Sequence, residues 1–303
     1  MTTQLFHLHL RRYCYICQIF QKEVEEFNVG LIGKRIRLGR IFKQDGKTFV
    51  ITMDHGVDLG PIKGLEDIKA TVRKTLSGDY KPDAILMNPS MIKLCHEEIV
   101  GKLGVIARLD GTATTIGPDI TDYRLFSSVE EALSCGADAV ATMAFIGVER
   151  ESQNSEKVGK ISQDCERWGV PHIVEALPPE IIEYHFKPEA KRQWPTMDHI
   201  KFVDRVAAEL GADVVKSYYT GDPDTFKEVV KCCPVPTIVL SGPGAGDPEG
   251  LLKMVHDVIS AGAKGVIMGR NVWGHKDPVA IIKAISKIVH EDESVENAIK
   301  IIR

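Results

Sequence analysis

Val214-Val215-Lys216-Ser217-Tyr218-Tyr219-Thr220-Gly221-Asp222 follows Gly211-Ala212-Asp213 and puts a lysine at the end of a short apolar run. A glycine turn feeding β-branched residues reads as a buried strand, and Asp222-Pro223 then offers an N-cap and a first-turn proline to the next helix. Lys216 is therefore expected near the C-terminal end of a strand, where α/β folds place their chemistry. An ammonium is costly to keep charged in such a place. Burial that brought its pKa from ~10.4 to roughly 7.5 would raise the neutral fraction at pH 7 a few hundredfold, and a neutral amine can attack a carbonyl to form a Schiff base. The alternatives are a lysine that snorkels to solvent, or one paired with Asp222 or Glu228.

Working outward, the glycine turn recurs as Gly136-Ala137-Asp138 and Gly262-Ala263-Lys264, each time as a helix stop leading into a strand. Eight apolar strands are expected to alternate with helices: 48–53, 84–88, 104–111, 139–144, 172–177, the run from 214 that ends at Lys216, 236–240 and 265–268. Helices are expected over 64–77, from Ser127 or Ser128, over 155–168 up to Gly169, over 198–210, and after the Asp-Pro pairs at 222–223, 247–248 and 277–278. The spacing of about 35 residues is that of a βα unit. Short strands, β-branched in the middle, predict a closed parallel eight-stranded (β/α)8 TIM barrel over 29–303 rather than an open doubly wound sheet, and no GxGxxG follows the first strand. Residues 1–28 read as an aromatic-rich N-terminal extension of unknown role. The proline- and aromatic-rich stretch 178–197 is too long for a simple turn and could be a lid.

With 303 residues, 44% of them hydrophobic, the chain can bury a sizeable core. Thirty-eight basic against 42 acidic side chains leave a formal charge of −4, so no nucleic-acid or anionic-membrane partner is expected. No apolar run reaches the roughly 18 residues of a membrane helix. Seven scattered cysteines fit reduced thiols and a cytoplasmic location better than a disulfide framework, and Cys14 and Cys17 form a lone CxxC without the second pair that a zinc site would use.

In a barrel, the strand ends bring Asp54, His55, Asn88, Arg108, Asp110, Glu175, Lys216, Ser241, Gly269 and Arg270 to one mouth. Glycine-rich turns after the last two strands, with Gly242 and Gly244 in one and Gly269 in the other, suit a phosphate, and Arg270 adds a charged fork; the alternative is two structural turns and a solvated arginine. Asp54 could hold a proton, orient a hydroxyl or pair with Lys216. His55 could act as a base or contact substrate, yet as the next residue on a strand it should face the opposite way and pack structurally. Arg108 and Asp110 could contact substrate or form an internal ion pair. Only His55 among the histidines lies at a strand end, so no metal cofactor is expected.

Met53-Asp54-His55-Gly56, Gly60-Pro61-Ile62-Lys63-Gly64, Val215 to Asp222, Ser241-Gly242-Pro243-Gly244 and Met268-Gly269-Arg270-Asn271 together resemble the archaeal-type class I aldolases of the DhnA (DeoC/LacD-related) family. That family includes fructose-bisphosphate aldolases and aminodideoxyheptulosonate synthases. The resemblance runs from about Gly33 to the C-terminus. It implies Lys216 as a Schiff-base lysine with no separate cofactor, Asp54 as an active-site carboxylate, the turns at 241–244 and 269–271 as a phosphate clamp, a phosphorylated sugar as substrate, and a homo-oligomer, commonly a decamer. One departure stands out. The family's acid–base tyrosine near the end of strand five is matched here by Leu177, with Pro178 after it. Glu175, two residues earlier on the same strand face, could take its place, or could pair with Lys216 or Arg108. The autoinducer-2-phosphate thiolase, a relative that also lacks this tyrosine, transfers an acetyl group to coenzyme A. The expected activity is thus a metal-independent aldolase on a phosphorylated keto sugar, with a thiolase-like acyltransferase and a non-catalytic phosphosugar-binding or assembly protein as alternatives.

Overall fold

The computed structural model describes residues 29–181, 195–241 and 247–302. Eight parallel strands close into a barrel: β1 Thr48–Thr52, β2 Ala84–Met87, β3 Gly104–Arg108, β4 Ala139–Phe145, β5 His172–Leu177, β6 Val214–Ser217, β7 Thr237–Leu240 and β8 Gly265–Met268. Each pairs with its neighbours in sequence, and β1 closes onto β8 with Thr48 opposite Gly265 and Ile51 opposite Met268. Every barrel-strand residue is buried, as a sheet covered by helices on one side and filled by side chains on the other demands. The expected (β/α)8 barrel is the fold.

The helix signals in the sequence work as read. Asp222, Asp247 and Asp277 each precede a proline and accept backbone N–H groups two or three residues on, from Thr225 at 2.9 Å, Glu249 and Gly250 at 3.1 Å, and Val279 and Ala280 at 3.1 Å. Ser128 rather than Ser127 caps its helix, taking the Glu131 N–H at 3.2 Å. The helix expected over 64–77 is shorter, Ile68–Thr75, because Asp67 caps it. The 155–168 helix starts earlier, at Glu151, and ends where Gly169 adopts a left-handed φ of 63°. A final helix, Val295–Ile302, follows the one that ends at Glu291 and was not anticipated.

The aspartates that lead into the strands, in Pro82-Asp83 and in the two Gly-Ala-Asp turns, do more than punctuate. Asp83, Asp138 and Asp213, each just before an even-numbered strand, accept the first free N–H of the preceding odd strand: Phe49 at 2.6 Å, Val105 at 3.1 Å and His172 at 2.8 Å. Each also meets a cation from the segment leading into β1. Lys43 lies 2.8 Å from Asp83, Arg40 2.7 Å from Asp138 and Lys34 2.9 Å from Asp213. Lys34 comes from the helix Val29–Leu38, which runs across this end of the barrel. In the fourth strand pair the corresponding residue is Lys264, which has no carboxylate to offer, and its own N–H bonds the Thr237 carbonyl instead. Three strand pairs out of four are thus latched to one segment at the end opposite the mouth.

Side-chain alternation separates inside from outside. Ala144, Ile146, Val174, Ala176 and Val215 pack outward with Val203 and Ala207 of the helix Met197–Glu209. Met143, Phe145, Ile173, Leu177 and Val214 belong to the main core. By the period of two, Glu175 and Lys216 then face into the barrel, directly opposite each other in the β5–β6 register.

Candidate active site

A guanidinium stands at the centre of the mouth. Arg108, the last residue of β3, is 1% exposed, so its charge must be met locally. Its Nε donates to Asp54 Oδ2 at 2.9 Å and its Nη2 to Glu175 Oε2 at 2.8 Å, while Nη1 lies 3.6 Å from Asp110 Oδ1. The same Glu175 oxygen lies 2.8 Å from Lys216 Nζ. Asp110 turns its other oxygen to Lys157 Nζ at 2.6 Å and to the Met143 N–H at 2.8 Å. Three buried carboxylates and three buried cations, Arg108, Lys157 and Lys216, therefore form one connected cluster.

Each part is placed by its element. Glu175 and Lys216 sit inward on adjacent strands in register. Asp54 follows the end of β1, where Asn88 Nδ2, at the end of β2, donates to its carbonyl at 3.1 Å. Burial works against the Asp54 charge, but Arg108 first, then His55 and Lys216, hold its carboxyl below the usual range. Asp54 is ionised at neutral pH.

Of the two alternatives for Arg108 and Asp110, the geometry is that of an internal ion pair within this cluster. Glu175 pairs with both Arg108 and Lys216. Lys216 meets neither Asp222, which caps the next helix, nor solvent to any extent, being 7% exposed. Asp54 pairs with Arg108 rather than directly with Lys216.

The expectation for His55 needs correction. The strand ends at Thr52, and His55 opens the short helix Gly56–Leu59 with helical φ and ψ of −59° and −24°. Strand alternation does not apply there, so the ring stays beside Asp54, with Nδ1 3.6 Å from Oδ1. The ring meets the Trp273 indole edge-on at 5.8 Å. Burial, with Arg270 and Lys216 adding to it against Asp54, lowers its pKa to about 4, so it is a neutral imidazole at physiological pH.

Gly269, between β8 and the helix Arg270–Trp273, is where backbone comes closest. A Cβ there would lie 2.5 Å from Thr52 Oγ1 and 2.6 Å from His55 Cε1. Only glycine lets this turn approach β1 and carry Arg270 over the mouth. Asn271 Nδ2 donates to the Ser241 carbonyl at 3.4 Å, joining the turn after β8 to the residue that follows β7. Gly242 and Gly244 lie outside the described residues, as do Cys14, Cys17, residues 1–28 and most of the 178–197 stretch. Among the described residues no group of three or more His, Cys, Asp or Glu is placed to hold a metal ion, and no helix is long and apolar enough to cross a membrane.

Sequence reasoning missed three residues here. Lys157, inside a long polar helix, gives no local sign that it reaches Asp110. Asp58 and Tyr123 meet over the mouth, Tyr123 carried by a loop whose ends form a small antiparallel pair, Asp110–Gly111 with Arg124–Leu125. Burial pushes the Asp58 carboxyl up to about 7 despite its hydrogen bond with the Tyr123 hydroxyl.

The fold and mouth define a barrel enzyme with a buried lysine at the end of its sixth strand. The chain belongs to the DeoC/LacD family of aldolases, whose pattern matches residues 48–275. It is 34% identical over 288 residues to an uncharacterized aldolase of Saccharolobus solfataricus, covering 90% of this chain and 100% of that one. It is 36% identical over 269 residues to the 2-amino-3,7-dideoxy-D-threo-hept-6-ulosonate synthase of Halobacterium salinarum, covering 88% of this chain and 95% of that one. Among solved structures, it is similar to an archaeal fructose-1,6-bisphosphate aldolase with the catalytic lysine covalently bound to the carbinolamine intermediate of its substrate. The two share 27% identity with a TM-score of 0.71, over 84% of this chain and 98% of that one.

Proposed function

We propose that the protein is a class I, metal-independent aldolase that makes or breaks a carbon–carbon bond in a phosphorylated keto sugar. The observation that carries the reading is the 2.8 Å contact between Lys216 Nζ and Glu175 Oε2 inside the barrel mouth. A carboxylate so placed can take the ammonium proton and leave a neutral amine beside an incoming carbonyl. The amine adds to the carbonyl, water leaves, and the resulting iminium accepts the electron pair of the bond that breaks. Arg108 keeps Glu175 and Asp54 fixed through these steps, and Asp54, ionised, orients a substrate hydroxyl. The phosphate binds at Ser241, Gly242 and Gly244 after β7 and at Gly269 and Arg270 after β8.

Fructose 1,6-bisphosphate and an aminodideoxyheptulosonate are the substrates that the names of similar proteins suggest, and both fit a Schiff-base lysine. A cytoplasmic location agrees with free thiols at Cys95, Cys135, Cys165, Cys232 and Cys233. Assembly into a homo-oligomer agrees with apolar exposure on two packed helices, Ile36 at 57% and Trp168 at 45%. The test is Lys216→Met. It should abolish cleavage of a phosphorylated keto sugar while leaving the protein folded, and full activity in that variant would contradict the mechanism. A requirement for coenzyme A would move the assignment to acyl transfer.

A further inference from the structure

We propose that a cavity at the end of the barrel opposite the mouth, beside the start of β7 and β8, is a binding site for a phosphate group, free or carried on a small metabolite. The site is separate from the chemistry at Lys216 and does not depend on it. The cavity has a volume of about 510 Å³. Arg205 of the helix Met197–Glu209, Lys231 of the helix Pro223–Cys232 and Lys264, just before β8, line it together with Cys233 and Thr237. No carboxylate is among the residues that line it.

The repeat within the barrel shows what this corner lacks. At three of the four strand pairs a carboxylate, Asp83, Asp138 or Asp213, accepts the first free N–H of the odd strand and meets a cation from the segment leading into β1. At the fourth pair Thr237 stands where Phe49, Val105 and His172 stand in the others, and Lys264 stands where the aspartates do. The backbone bonds establish the match: the Asp83 N–H reaches the Phe49 carbonyl and the Lys264 N–H the Thr237 carbonyl, both at 2.8 Å. The charge is thereby reversed. A cation occupies the place from which the other pairs present an anion, and the Thr237 N–H receives no carboxylate from it. Among the described residues no carboxylate pairs with Lys264.

The side chains around the cavity suit an oxyanion. Val215, opposite Thr237 in the β6–β7 register, packs outward among the helices, so Thr237, inside β7, turns its hydroxyl to that same face. Thr237 is 2% exposed, and its Oγ1 bonds no oxygen or nitrogen; only the Cys233 thiol is disposed toward it. A buried hydroxyl left so is costly, and an oxyanion relieves it. Arg205 and Lys231 meet only carboxylates of their own helices, Glu209 at 2.6 Å and Glu228 at 4.0 Å, both half or more exposed. Exposed pairs one helical turn apart hold little free energy, so these cations stay available. A phosphate in the cavity takes the place of the absent aspartate: one oxygen accepts from Thr237, and the others accept charge-assisted bonds from Lys264, Lys231 and Arg205. Three cations favour a dianion over a single carboxylate. The bound group ties β7 to β8 and to both helices, completing the set of latches at this end of the barrel.

The probes are inorganic phosphate and glycerol 3-phosphate, each compared with potassium chloride at matched ionic strength, on the whole chain carrying Arg270→Ala so that the turn at the mouth does not contribute. Both should raise the thermal unfolding midpoint in a saturable way that chloride does not reproduce, because a ligand of the folded state stabilises it by mass action. An equal rise from the two means that the site takes the phosphate group alone, and a larger rise from the ester means that it takes a phosphorylated metabolite. Lys264→Asp in the same background supplies the carboxylate of the other three pairs and should abolish the response. Acetylation of lysines in wild type, read by peptide mass spectrometry, locates the site: phosphate should slow modification of Lys264 and Lys231 severalfold and leave the exposed Lys74 unchanged. No phosphate-specific rise in the Arg270→Ala protein, a rise that survives Lys264→Asp, or equal slowing at Lys74 overturns the proposal.

Discussion

Arg108 bears the electrostatic weight of the mouth. With Asp54 and Glu175 at 2.9 and 2.8 Å and Asp110 at 3.6 Å, it neutralises carboxylates that are each nine-tenths or more buried. Removing the positive partner of a buried pair is expected to cost about 3–5 kcal/mol, since the carboxylates stay behind without it. Arg108→Met, matched in length and apolar, should thus lower the unfolding midpoint strongly. It should also raise the pH at which the protein is most active, or abolish activity outright, because Asp54, whose carboxyl Arg108 holds below the usual range, would keep its proton to higher pH. Denaturant unfolding and a pH–rate profile check both, and a variant with wild-type stability would show that Lys157 and Lys216 suffice. Much of this cluster could be read from the chain: each of Asp54, Arg108, Glu175 and Lys216 falls at the end of an apolar run, and a barrel brings such ends together. What strand logic could not tell was which ion pairs form, because partner choice among converging charges depends on rotamers and register. His55 was misread for a definite reason. The strand stops two residues before Asp54, and alternation holds only inside a strand.

At the scale of elements, the turns that lead into the strands act as latches as well as stops. Asp213 takes the His172 N–H at 2.8 Å and pairs with Lys34, itself 1% exposed. Lys34 also bonds Glu166 at the end of the long helix. Asp213→Ala would leave a buried N–H without its acceptor and a buried ammonium with one counter-charge fewer. A loss of about 2–4 kcal/mol is expected, with little change in the mouth chemistry. Thermal unfolding alongside an activity assay separates the two. A loss of activity without a loss of stability would place Asp213 in the function instead of the frame. The glycine of these turns is visible in the sequence as a helix stop, and so are the Asp-Pro caps, since both work within a few residues. The latch is not, because Lys34 and Asp213 stand 179 residues apart and nothing local links them.

For the whole molecule, the buried acids set how stability responds to pH. Asp204, 1% exposed between its helix and β6, has its carboxyl pushed up to about 7 by burial, the Ser217 hydroxyl opposing only in part. The folded protein thus holds a proton that the unfolded chain releases near its ordinary value of 3.8. By linkage, folding is favoured below that value and loses stability as pH rises from about 4 to about 7. Asp58 adds a slope of the same sign. Asp204→Asn should remove its share, matching wild type near pH 4 and exceeding it by a few kcal/mol at pH 8. Parallel stability curves for the two proteins would contradict that account.

The barrel itself was legible because eight apolar runs, regular spacing and capped helices all agree. The cover over the mouth was not, because the threonine- and glycine-rich 110–125 segment has no period, and its small antiparallel pair depends on a long-range meeting of Asp110 with Leu125.

The measurement that tests the central claim most directly is borohydride trapping of the wild-type protein with dihydroxyacetone phosphate and, separately, fructose 1,6-bisphosphate, followed by peptide mass spectrometry. A reduced adduct on Lys216 and on no other lysine is the predicted result. A folded protein that gives no adduct with either sugar, or one modified at another lysine, would contradict the account of this barrel as a Schiff-base aldolase working through Lys216.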